Sequence, residues 1–307
     1  MKKAKESLWQ IVVLSVLAIA IFSSMVMPES WFLPKRQQKE ISVLIRHQDS
    51  TLWSICRQGM EQAAEDYGVE LRFLTLTEDN NSMQQAELMQ KEKEGGVDAI
   101  IVAPIDKEQI SLCIEQIEPL PVIAIESPIE GAKAWVAPDN RQVGKLLAEQ
   151  ILQDIPSSAL LLLVDGGSEC TALQQRMEEV KKILAEKGFW VQNCAFPTLE
   201  QLQQADAVVC MDPQSLQQIL QMLPQDISNL MLYGAGMTDS LVTALENGQV
   251  QTLAVWSEYA MGYVAVQQAV ATTGNQKVKD YLLPISVVQE GETYEPDNQK
   301  LLYPLSN

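Results

Sequence analysis

From Ile41 onward the chain alternates between short runs of β-branched and aliphatic residues and longer stretches in which apolar residues recur every three to four positions. The first pattern predicts strands over 41–45, 70–75, 99–102 and 122–125. The second predicts helices over 51–67, 82–93 and 108–118, stopped by Gly68, Gly95–Gly96 and Pro119. A second series follows: helices over 141–155, 171–187, 214–222, 237–247 and 258–272, and strands over 159–164, 191–195, 207–210, 229–233, 250–255 and 282–288. A short helical piece separates the strands at 191 and 207. Strand–helix alternation of this kind predicts parallel strands joined by right-handed crossovers, with helices on both faces. The segments VDAIIV at 97–102 and ADAVVC at 205–210 echo each other at equivalent places in the two series. The expected fold is therefore α/β, with two doubly wound parallel-sheet lobes. Such sheets bind ligands at the carboxyl ends of their strands, so facing lobes make a cleft.

The pattern before Ile41 is different. Leu8 to Pro28 carries no charge. At about 1.5 Å per residue, about 20 apolar residues span a hydrocarbon core of about 30 Å. The basic start MKKAK favours an N-in orientation with the body outside the cytoplasm. A cleaved signal peptide is the rival, but its apolar region is shorter, about 7–15 residues, and no small-x-small cleavage pair follows the run. Residues 1–28 are thus expected to form a single-pass membrane anchor, and 29–40 a tether.

Composition narrows the function. The chain has 307 residues, 22 basic and 40 acidic, for a formal charge of −18. Residues 1–40 hold six basic and three acidic side chains, or +3, which leaves 16 basic against 37 acidic, or −21, on the body. So acidic a body argues against nucleic acid as a partner. A single histidine, His47, excludes a His-rich metal site and removes the usual general base. Five cysteines with no C-x-x-C pair leave an odd thiol; they read as small buried hydrophobes, with no structural disulfide expected.

The body resembles the type I periplasmic solute-binding proteins, in the ribose-binding branch shared with the effector domains of lactose-repressor-like regulators. The resemblance runs over about 41–290. It is carried by ISVLIRHQDSTLWSICRQGMEQAAEDYGVEL, GVDAIIVAPIDKEQI, PVIAIES, WVAPDNRQVGKLLAEQIL, ALLLLVDGGSECTALQQRMEEV, LYGAGMTDSLVTALENGQVQTLAVWSEYAMGYVAVQQAV and LLPISVV. It implies a first lobe of about 41–137 plus 258–283 and a second of about 138–257 plus 284–307. Three crossovers form the hinge, and the lobes close on a small ligand. No helix-turn-helix precedes the body, which excludes the repressors as a functional model.

The resemblance also implies site positions. The loop after the first strand supplies Thr51 and Trp53, the latter a stacking wall or simply a core residue of the first helix. Glu126-Ser127 stands where the family has an Asp-Arg pair, so an acceptor is kept and the arginine lost. Asp139-Asn140 matches the turn into the second lobe, and helix capping explains Asp139 and Asp106 as well as ligand contact does. Arg176 falls on the second lobe's arginine, able to donate to a hydroxyl pair or a carboxylate unless it lies on a solvated helix face. Asp212 is retained behind Met211, where the family has an asparagine. Ala235 replaces an aspartate and Trp256 a glutamine. These losses argue against a ribose-like ligand, and the two tryptophans suggest a more apolar or stacked one.

Enzyme chemistry has little support. Gly234-x-Gly236 lacks the third glycine of a dinucleotide loop, and Asp165-Gly166-Gly167-Ser168 lacks the Lys-Ser/Thr pair of a phosphate loop. No cofactor is implied. Two binding roles remain: a receptor that delivers a solute, such as a sugar, to an ATP-binding-cassette (ABC) permease, or an anchored sensor that reports occupancy to a partner such as a membrane histidine kinase. A ligand-free interaction module of the same fold is the alternative.

Overall fold

The computed structural model describes residues 38–46, 53–223, 230–274 and 276–302, together with Ser15. The expected anchor at 1–28, Ser15 apart, the tether as far as 37, and Thr51 lie outside them. Among the described residues no helix is long and apolar enough to cross a membrane. The described residues from Lys39 onward form one compact unit.

Twelve strands and ten helices alternate through the described residues. The first series is β1 (Glu40–Leu44), α1 (Ser54–Tyr67), β2 (Glu70–Leu74), α2 (Ser82–Gly95), β3 (Ala99–Val102), α3 (Lys107–Ile117), β4 (Val122–Ile125) and β5 (Ala134–Pro138). The second is α4 (Asn140–Asp154), β6 (Leu160–Val164), α5 (Thr171–Glu186), β7 (Trp190–Cys194), α6 (Leu199–Gln204), β8 (Ala207–Cys210), α7 (Pro213–Met222), β9 (Met231–Ala235), α8 (Asp239–Glu246) and β10 (Thr252–Trp256). The chain ends in α9 (Glu258–Thr273), β11 (Tyr281–Leu283), β12 (Ile285–Gln289) and α10 (Pro296–Leu302).

The strands form two six-stranded sheets of matching order, β11-β5-β4-β3-β1-β2 and β12-β10-β9-β8-β6-β7. The central strands are buried along their length because helices cover both faces, and so they read as continuous apolar runs. The edge strands β2 and β7 are largely exposed or half-buried. Every ladder is parallel except β10–β12, a correction to the wholly parallel expectation. The strand expected over 282–288 is in fact two, broken at Pro284, which has no N–H to give to a ladder. Its first part pairs with β5 in one sheet and its second with β10 in the other. The pattern missed β5, because a short strand containing Trp135 and ending at Pro138 carries little apolar signal, and also missed α10.

The chain passes between the sheets three times: from β5 to α4, from β10 to α9, and from β11 to β12. Beside these passages sit two helix pairs, α1 with α9 on the first sheet and α4 with α5 on the second, in one continuous apolar core. Glycines allow both pairs to touch backbone to backbone. A Cβ on Gly59 would meet the Tyr259 carbonyl, one on Gly262 the Cys56 carbonyl, and one on Gly144 the Arg176 carbonyl. All five cysteines are free thiols, four of them buried.

Candidate functional site

The carboxyl ends of the two sheets bring a set of polar side chains together from both sides. Arg46, two residues beyond β1, is 2% exposed. Its Nε donates to Glu126 Oε2 at 3.0 Å, and its Nη1 lies 3.8 Å from Asp212 Oδ2 on the other lobe. Glu126 follows β4 directly and has a φ of 67°. The Ser127 N–H donates to the Ile125 carbonyl at 2.8 Å across it, a three-residue turn. A non-glycine residue in this region costs about 1–3 kcal/mol, strain typical of binding sites. Asp212 caps α7, its Oδ1 accepting from Ser215 N at 2.7 Å.

The second lobe answers with Asn140 and Arg176. Asn140 opens α4; its Nδ2 donates to the Glu126 carbonyl at 2.8 Å and its Oδ1 accepts from Arg176 Nε at 2.8 Å. Arg176 lies on α5 and is 1% exposed, so the solvated-face reading is wrong. Its Nη1 donates to the Met211 carbonyl at 2.8 Å, and its guanidinium covers one face of the Trp256 ring at 4.7 Å. Trp53, at the foot of α1, and Glu258, the first residue of α9, complete the enclosure. Trp53 is also part of the core, so its two readings hold together.

The cavity between these groups is about 20 Å³, room for about one water. Contacts between Arg46 and Asp212, Asn140 and Glu126, and Gln214 and Asp79 hold the lobes together over it. A larger cavity of about 430 Å³ lies across the 212–214 turn, with Asp79, Asp165, Glu169 and Asp212 in its wall.

Burial and the neighbouring Glu126 charge push the Glu258 carboxyl up to about 8, against the opposing pull of Arg176, Arg46 and the Trp256 N–H. Burial works against the charge on Arg46, but the carboxylates of Glu126 and Asp212 outweigh it and hold the guanidinium above its ordinary value. On Arg176 burial wins, and the value is lowered.

Of the residues singled out in the sequence, Trp53, Glu126, Arg176 and Trp256 line the cavity, and Asn140 and Asp212 are bonded or close to them. Ala235 is buried at the end of β9 and lines no part of the cavity. Asp106 and Asp139 are helix caps, accepting from Gln109 N and from Arg141 and Gln142 N. Two residues were missed. Arg46 supplies from β1 the guanidinium that Ser127 lacks beside Glu126; its one signal was a charge placed just past the carboxyl end of the first strand. Glu258 read as an ordinary acidic residue at a helix start.

The model for the periplasmic binding protein domain matches residues 41–277. The chain belongs to the periplasmic binding protein family, as a type I, ribose-binding-like member. A curated relative, the ribose import binding protein RbsB of Bacillus subtilis (strain 168), is 24% identical over 195 residues, 61% of this chain and 62% of the relative. The match thus spans less than two thirds of that relative's length. Among solved structures, GanP, a glucose-galactose binding protein from Geobacillus stearothermophilus, has a TM-score of 0.74 at 18% identity, covering 85% of this chain and all of its own. A carbohydrate transporter solute-binding protein from Agrobacterium radiobacter, in complex with D-arabinose, has a TM-score of 0.77 at 18% identity over 87% of this chain and all of its own. A solute-binding protein of an ABC transporter from Bacillus halodurans C-125, with bound myo-inositol, has a TM-score of 0.71 at 22% identity, with the same coverage. The family and these relatives are named as binding proteins, not enzymes.

Proposed function

We propose that the chain is an extracytoplasmic solute-binding protein that closes its lobes on a sugar or sugar-like solute, held at the cell membrane by residues 1–28. The observation that carries this reading is the meeting of Arg46 and Glu126 from one sheet with Arg176, Asp212 and Trp256 from the other in one buried site. Hydrogen-bonding groups placed against an indole face suit a polyhydroxylated ring, whose faces are apolar and whose rim is polar. The lobes, 41–137 with 258–283 and 138–257 with 284–307, move as bodies about the three passages between the sheets. A cavity of about 20 Å³ is too small for a monosaccharide, so the solute enters an opened form and favours the closed one by its differential affinity.

Delivery to an ABC permease is supported by the curated relative, named an import binding protein, and by the Bacillus halodurans neighbour, named an ABC transporter solute-binding protein. Signalling to a membrane sensor kinase is supported by the uncharged stretch from 8 to 28, long enough to remain as an anchor. Deleting the gene separates them: lost uptake supports delivery, and normal uptake with lost solute-induced transcription supports sensing. The binding reading itself is tested by tryptophan fluorescence of the full chain in mild detergent, titrated with a panel of monosaccharides, polyols and their acids. A saturable change that disappears in Trp256→Phe is expected; no response across the panel contradicts the reading.

A further inference from the structure

The cations of the site are unequally matched. Arg46 faces two carboxylates, Glu126 at 3.0 Å and Asp212 at 3.8 Å. Arg176 is as deeply buried, yet among the described residues no carboxylate lies within 4 Å of it. Its two hydrogen bonds go to neutral acceptors, Asn140 Oδ1 and the Met211 carbonyl. Its Nη2 is buried with no hydrogen-bond partner, and so is Nη1 of Arg46. Both side chains line the same cavity. A buried cation with no carboxylate in direct contact, and buried N–H groups without acceptors, are costly states that folded proteins rarely keep unless a ligand completes them.

The wall holds one more such donor, the Trp256 Nε1–H, which is buried with no hydrogen-bond partner. Its side-chain acceptors are the carboxylate of Glu126, which Arg46 holds, and the amide oxygen of Gln214. Burial and the neighbouring Glu126 charge favour the protonated form of Glu258, in which it too can donate. A neutral sugar meets these donors only through hydroxyls, each of which must also place its own proton on an acceptor. A carboxylate brings acceptors only, and its two oxygens can take two guanidinium N–H groups at once.

Taking the solute-binding reading as its basis, we propose that the solute carries a carboxylate, as a hexuronate or other sugar acid does, and that Arg176 Nη2 receives it. The remaining hydroxyls fall to Glu126, Asp212 and the second guanidinium.

The test is calorimetric titration of the full chain in detergent with matched pairs: D-galacturonate against D-galactose, and D-glucuronate against D-glucose. In at least one pair the acid is expected to bind about ten- to a hundredfold more tightly, the value of a charge-assisted hydrogen bond. Arg176→Lys, which keeps the charge but not the fork, should erase most of that preference; its thermal melt shows whether it folds, and the wild-type comparison decides without it. Equal or tighter binding of the neutral sugar in both pairs overturns the carboxylate and leaves the sugar-binding reading intact. Binding of none of the four, nor of the wider panel above, overturns that reading as well.

Discussion

The two lobes repeat one architecture but hold their share of the site in different ways. The first presents Arg46 and Glu126 from turns just past strand ends, one of them in a left-handed conformation, and fixes them by an ion pair. The second presents Asn140, Arg176 and Asp212 from helices or a helix cap, and fixes them by hydrogen bonds to helix ends and by packing. Charge therefore sets the first half of the site and helix packing the second. The coupling is tightest at Gly144, which seats the backbone of Arg176 itself. Its counterparts in the first lobe, Gly59 and Gly262, seat Tyr259 and Cys56, neither of which supplies a side-chain hydrogen bond to the site.

The largest effect expected is from Arg46→Met. It strands two buried carboxylates, which costs about 3–5 kcal/mol when one partner of a buried pair is removed. A melting temperature unchanged by this substitution would break the claim that charge organises the first lobe. Next come the glycines. Gly262→Ala and Gly144→Ala each force a Cβ against a backbone carbonyl, at about 1–3 kcal/mol or more. Denaturant melts should show similar losses, but only Gly144→Ala should also weaken solute binding of the folded fraction. Equal weakening by both would erase the contrast between the lobes.

A smaller effect separates the groups by pH. Glu258 in the folded chain titrates at about 8, above the ordinary 4.5. The folded state therefore keeps a proton that the unfolded state has released, and stability declines as pH rises between those values. Glu258→Gln should remove that decline, worth about 1–2 kcal/mol near pH 8 once water reaching the half-buried carboxyl is allowed for. Melts of the two forms at pH 5 and pH 8 check it; a gap that does not widen with pH contradicts it. The smallest change expected is from Asp106→Ala, about 1 kcal/mol from a lost helix cap with no effect on binding, since Asp106 serves only α3.

The same contrast explains what could be read from the chain alone. The helices and buried strands announce themselves by period, because burial on one or both faces dictates which positions are apolar. Arg176 and Asp212 were legible because a helix fixes its side chains in register with neighbours that carry the family resemblance. Arg46 was not, because a single arginine past a strand looks like any solvated turn residue until a carboxylate from another strand end is seen beside it. The apolar run LLPISVV continues across Pro284, so its pattern predicts one strand where the chain changes sheets. The two tryptophans suggest a stacked ligand, but one face of Trp256 is covered by Arg176.

The central claim is that a small solute is held between Arg46 and Arg176. Mass spectrometry of the small molecules released on denaturing the full chain, purified without added sugars, tests it most directly. The account predicts a stoichiometric polyhydroxylated solute in the wild type, lost from Arg176→Lys. No released solute, together with no binding across the panel, or the same solute retained by a variant lacking both guanidinium groups, would contradict it.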